Sequence, residues 1–189
     1  KNINKYGSVF VPINLKEIYY STYYKEQDWP HLFLINGYDK EKAYLAGLVH
    51  DCAKYFTKEQ IDSYVKKYNI KLDPLETNNI ALSHSVIGSF VIQDVFNIQD
   101  MDIINAVRYH TTGRENMSIL EKIIFMADMI EEGRNFPGVD YLRELSFNKQ
   151  LDKALITSFN NTIKFVIDND QLIHPRSVSA RNYLMQENI

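Results

Sequence analysis

A chain of 189 residues suits a single domain, and 21 Lys and Arg against 24 Asp and Glu leave it at a net charge of -3. That balance argues against a strongly basic nucleic-acid binder. Hydrophobic residues at 45% and aromatics at 13% exclude a disordered chain. The single cysteine, Cys52, excludes an intrachain disulfide and fits a reducing, cytoplasmic interior. No apolar run approaches the roughly 20 residues that span a bilayer. The chain opens with Lys1 and not Met, as expected of a trimmed piece of something longer.

In chain order, residues 1–38 read as an irregular, divergent N-terminal segment, and residues 39–189 as the domain proper. Val9-Phe10-Val11 is a candidate short strand, residues 18–24 are Tyr-rich without a clear period, and Trp29-Pro30 interrupts any helix. From Asp39 onward apolar residues fall three and four apart behind helix start signals, which predicts an all-α fold. Asp39 caps a helix carrying Ala43, Ala46 and Val49 and ending near Lys54. Thr57 with Gln60 forms a capping box before Ile61, Tyr64, Val65 and Tyr68. Asp73-Pro74 places a cap and then proline at the first helical position. Ser83 precedes a helix opening at His84. Asp100 caps a helix through Arg108, and Ser118 with Glu121 opens another through Ile130. Residues 133–138 form a turn-rich loop. A short helix follows over Asp140 to Leu145. Leu151, Leu155, Phe159, Ile163, Val166 and Ile167 line one face of a long helix, and Ser177 caps the last.

The five histidines are the scarce resource. His50-Asp51 closes an apolar helix, where a charged carboxylate among Leu, Val, Cys and Ala has a desolvation cost. A divalent metal offsets that cost, since neutral imidazole and carboxylate are both good ligands. Lys54, four residues after His50, is placed to hold a phosphate beside it. His84 and His110 stand at helix ends. Asp128 lies mid-helix between apolar neighbours and wants a buried partner: a metal, or else Lys122 or Arg134. Three His and two Asp are enough for one metal site or a bridged pair. Cys52 reads as a small buried hydrophobe.

The ordered set His50-Asp51, His84, His110 and Asp128 on an all-helical chain resembles the HD superfamily of metal-dependent phosphohydrolases, an HD-domain helical bundle. The strings from Lys42 to Lys54, Ala106 to Arg114, Asn116 to Asp128 and Ile130 to Asp140 are similar to the YqeK-type group, as are Ile173-His174-Pro175 and Ala180 to Leu184. The resemblance covers roughly residues 37 to 186. That group comprises symmetrical bis(5'-nucleosyl)-tetraphosphatases, which split diadenosine tetraphosphate (Ap4A) into two ADP at a two-metal centre usually described as iron.

The resemblance implies that His50, Asp51 and Asp128 bind one metal, that His84 and His110 bind the second, and that Asp51 bridges them. Lys54, Thr111, Arg114 and Arg134 face the polyphosphate, with Asp51 and Lys54 catalytic. Iron is the expected metal, with manganese or another ion as alternatives. The expected partners are a dinucleoside polyphosphate and a second copy of the chain as a homodimer, with no DNA, RNA or membrane.

The sequence departs from the family at its first histidine. The usual position falls at Ser21, and the upstream candidate is His31, 19 residues before His50. Either His31 takes over as ligand, or the ligand is lost. Val9 to Pro12 with Ile18 to Thr22 is similar to the tail of a nicotinate-nucleotide adenylyltransferase, a family sometimes fused ahead of this domain. The competing readings are an HD phosphohydrolase for another nucleotide, and a non-catalytic nucleotide- or metal-binding regulatory domain.

Overall fold

The computed structural model of the protein describes residues 40–187. Among them every regular element is an α-helix: α1 (Lys40–Val49), α2 (Lys58–Tyr68), α3 (Pro74–Thr77), α4 (Ile80–Val95), α5 (Met101–Tyr109), α6 (Ile119–Ile130), α7 (Val139–Phe147), α8 (Leu151–Asp168) and α9 (Pro175–Glu187). The strand expected at Val9-Phe10-Val11, the cap expected at Asp39, Ser21 and His31 lie outside the described residues. Among the described residues no helix is long and apolar enough to cross a membrane.

Side-chain caps fix most of the helix starts. Gln60 N–H donates to Thr57 Oγ1, and Gln60 Oε1 accepts from Thr57 N–H at 2.8 Å. Ser118 and Glu121 make the same reciprocal pair at α6. Asp73 caps α3, and Glu76 completes a box there with a 2.8 Å bond from Asp73 N–H. Each such cap contributes about 1 kcal/mol.

The end of α1 and the starts of α4 and α9 differ from the periodicity. α1 stops at Val49 and not near Lys54, because the His50 ring takes the Gly47 carbonyl and residues 50–55 run through turns. α4 begins at Ile80, since Asn79 Oδ1 accepts from Ala81 N–H at 3.0 Å. His84 therefore sits a full turn inside α4. α9 starts at Pro175, where a missing N–H costs nothing. Ser177 donates instead to the Thr112 carbonyl at 3.0 Å and ties α9 to the loop after α5. Along α8 the apolar face is buried through Phe159, while Ile167 is exposed.

α5 and α6 form the centre. α5 packs on α1, α4 and α6, and α6 packs on α1, α7 and α8. Ile103, Ile104, Ala106 and Val107 of α5 meet Leu120, Ile123, Ile124 and Met126 of α6 in the main core. A smaller core lies under α2, where Ile61 packs with Val86, Ile87 and Val91 of α4. The turn out of α5 requires Gly113, whose φ is +63° and where a Cβ would stand 2.6 Å from the Phe159 ring. This packing brings the ends of α1, α5 and α6 and the second turn of α4 to one place.

Candidate metal centre

Three imidazoles are held by the same device. His50 Nδ1 lies 2.7 Å from the Gly47 carbonyl, His84 Nδ1 3.2 Å from that of Ile80, and His110 Nδ1 2.7 Å from that of Val107. A carbonyl oxygen only accepts, so each Nδ1 carries the proton. In the neutral ring each Nε2 is then a lone pair turned inward. The Nε2 atoms of His84 and His110 approach to 3.0 Å. Two lone pairs at that distance repel unless a cation sits against them.

Asp51 stands between the imidazoles. Its Oδ1 lies 3.1 Å from His84 Nε2 and 3.4 Å from His110 Nε2, and its Oδ2 lies 3.5 Å from His50 Nε2. Asp128 Oδ1 is 3.9 Å from His50 Nε2 on the other side. His50 Nε2 and Asp51 Oδ1 are buried without a hydrogen-bond partner among the described residues. His50, Asp51 and His110 bring one ligand atom each within 4.8 Å of one another. Converging nitrogen and oxygen donors, with the outer ring nitrogens fixed by backbone carbonyls, are what a transition-metal ion requires. The residues fit such an ion.

Charge in the cluster is finely divided. Burial opposes the charged form of His50, yet Asp128 and Asp51 outweigh it and raise its pKa. Burial holds His110 below its ordinary value. Burial also works against both carboxylates, but the surrounding imidazoles, and Arg134 beside Asp128, keep them well below the usual range. Lys54 Nζ donates to Asp51 Oδ2 at 2.5 Å, and Arg134 NH2 donates to Asp128 Oδ1 at 2.5 Å. Two carboxylates facing two fixed cations leave the site near neutral when the imidazoles carry no charge. A polyanion bound here needs additional positive charge.

Residues 27–133 match the HD domain family. The chain belongs to that family. This HD-domain protein is 38% identical over 149 residues to a Bacillus subtilis protein named bis(5'-nucleosyl)-tetraphosphatase, symmetrical, with 79% of each chain covered. It is 31% identical over 106 residues to a Mycoplasma genitalium protein named probable nicotinate-nucleotide adenylyltransferase/Ap4A hydrolase, covering 54% of this chain and 29% of that one. A crystal structure from Clostridium acetobutylicum, titled a predicted HD superfamily hydrolase involved in NAD metabolism, is 42% identical. It superimposes with a TM-score of 0.79 over 90% of this chain and 95% of that chain.

The remaining site residues of the HD-domain protein take varied positions. Thr111 follows His110 directly, and its hydroxyl lies 2.9 Å from that of Ser85, the neighbour of His84. Arg114 is already engaged: its Nε and NH2 donate to Glu121 at 2.9 and 2.7 Å, and its guanidinium lies over the Tyr109 ring. Glu121 is 1% exposed, so this bond anchors a buried carboxylate. Lys122 pairs with Asp152, leaving Arg134 as the partner of Asp128. His174 stands apart, near the Glu76–Arg176 pair that joins α3 to α9.

Sequence reasoning missed Ser85, Arg143 and the pairing of Glu121 with Arg114. Glu121 carried a signal, as the third residue of a capping box. Arg143 carried none, because all but one of its contacts are to backbone carbonyls.

Proposed function

We propose that this protein hydrolyses Ap4A symmetrically, releasing two ADP in the cytoplasm. His50, Asp51 and Asp128 would hold one metal ion, and His84 and His110, with Asp51 between them and His50, would hold a second. The observation that carries this reading is the placement of Asp51. One of its oxygens faces the His84–His110 pair and the other faces His50. The names of the B. subtilis and M. genitalium relatives support the substrate. The second of these also supports a nicotinate-nucleotide adenylyltransferase as a partner domain for this activity. Iron is the first candidate metal, and a His/carboxylate donor set also accepts manganese or zinc.

Bound there, the ions supply positive charge to the cleaved phosphates and lower the pKa of water toward neutrality. Asp51 accepts a hydrogen bond from the attacking water and so orients it. Lys54, half-exposed beside Asp51, neutralises charge that builds on the departing ADP. Arg134 keeps Asp128 ionised and offers its exposed edge to phosphate oxygens.

The test is incubation with Ap4A under iron (anaerobically), manganese and zinc, with products resolved. ADP as the sole product is expected. AMP with ATP, or no turnover by metal-loaded protein, overturns the reading.

Arg114 gives a narrower prediction. Arg114→Ala is expected to raise KM for Ap4A at least several-fold while leaving metal content unchanged. It should also lower the melting temperature, because the buried Glu121 carboxylate then keeps only the Ser118 N–H as a partner, at a cost of about 1–3 kcal/mol. Loss of metal in this variant would show that Arg114 serves the metal centre and not the substrate.

A further inference from the structure

Arg143 lies on α7, one helix away from any metal-ligating residue, and its guanidinium spans the junction between α6 and the loop after it. Nε donates to the Ile130 carbonyl at 3.2 Å, and NH2 donates to the carbonyls of Glu131 and Arg134 at 2.9 Å each. The fourth bond, from NH1 to Asp140, is on the exposed side of α7. Ile130 and Glu131 end α6, where carbonyls lack intrahelical partners. A planar guanidinium with donors on several edges can join three such oxygens at once; an ammonium cannot match that span.

The chain between those carbonyls leads straight to the metal centre. Arg134 turns back onto α6, where its Nε donates to the Asp128 carbonyl at 2.9 Å and its NH2 to Asp128 Oδ1. A turn bond from Arg134 N–H to the Glu131 carbonyl at 3.0 Å closes the same loop. Arg143 therefore grips the backbone on both sides of the bend that aims Arg134 at Asp128. Resting on the functional reading above, we propose that Arg143 is a positioning residue for the Arg134–Asp128 pair. It acts on catalysis only through Arg134.

A double-mutant cycle tests this. Ap4A kcat and KM are measured for wild type, R134Q, R143Q, R143K and R134Q/R143Q with manganese bound, alongside melting temperature and amide hydrogen exchange. R134Q and R143Q are each expected to lower kcat/KM by about 10- to 100-fold, the usual range for groups that orient a metal ligand. The double variant should lose no more than the worse single one. R143K should fold and keep most of the defect. Exchange across residues 131–138 should quicken in R143Q and not in R134Q.

Losses that multiply in the double variant overturn the proposal. So does wild-type kcat/KM in R143K or R143Q, even with a lowered melting temperature, which would show a purely structural role. If wild-type protein with metal bound splits no Ap4A, the functional reading fails by itself. The cycle is then read on the manganese dissociation constant. Equal shifts in R134Q and R143Q, with no further shift in the double variant, uphold the coupling; independent shifts reject it.

Discussion

Asp51→Ala is expected to lower Ap4A hydrolysis by about a thousandfold or more, equivalent to about 4 kcal/mol of lost transition-state stabilisation. The size follows from position. Both Asp51 oxygens face imidazole nitrogens, with Oδ1 against His84 and His110 and Oδ2 against His50. Removing the carboxylate takes a donor from both halves of the cluster at once. It also frees Lys54, which is bonded to Oδ2, to swing out of the site. Bound metal should fall well below the wild-type amount, as elemental analysis of the purified variant will show. Asp51→Asn keeps the shape and removes the charge, and it should share most of the loss. ADP release at a wild-type rate from either variant would sink the assignment of Asp51.

How much of this was legible beforehand depended on the kind of interaction. The helical class was legible because α2, α5 and α6 carry both side-chain caps and apolar spacing, two independent signals for the same element. The start of α4 was misplaced by one turn because Asn79 and Ser83 are both good caps and the sequence does not rank them. The Asn79 side chain decides it by accepting from Ala81 N–H, and His84 then lies one turn inside the helix, facing His110. The candidate ligand residues stood out because a charged or imidazole side chain among apolar neighbours needs a partner.

The supporting groups were not legible in the same way. Arg114 was expected to face the polyphosphate, and its bond to the buried Glu121 emerges only once the turn at Gly113 folds it back over α6. Arg143 touches mainly backbone, which every sequence has, so no residue pattern announces it. Arg134 shows the same division. Its pairing with Asp128 was one of the alternatives open to that carboxylate, but the loop that delivers it depends on residues nine positions further along the chain.

Metal binding should stabilise the fold as well as activate it. The folded chain holds the lone pairs of His84 and His110 at 3.0 Å and leaves His50 Nε2 and Asp51 Oδ1 buried without partners, and the unfolded chain does neither. A bound cation relieves those costs in the folded state alone, so it shifts the folding equilibrium by mass action. With free metal at 100 times its dissociation constant, the gain is about 2.7 kcal/mol. For a domain of this size each kcal/mol moves the melting temperature by about 2–4 °C, which gives a rise of roughly 5–10 °C. The measurement is thermal unfolding after chelator treatment, repeated with excess manganese or with iron under anaerobic conditions. Ap4A hydrolysis should vanish with the chelator and return with the metal, over the same concentration range as the thermal shift. Asp51→Asn should lose most of that shift while melting cooperatively, because its remaining ligands no longer bridge the cluster. A melting temperature that is indifferent to chelator and to added metal in the wild-type protein would show that the cluster does not bind the ion. The facing imidazoles would then have to be held by a shared proton.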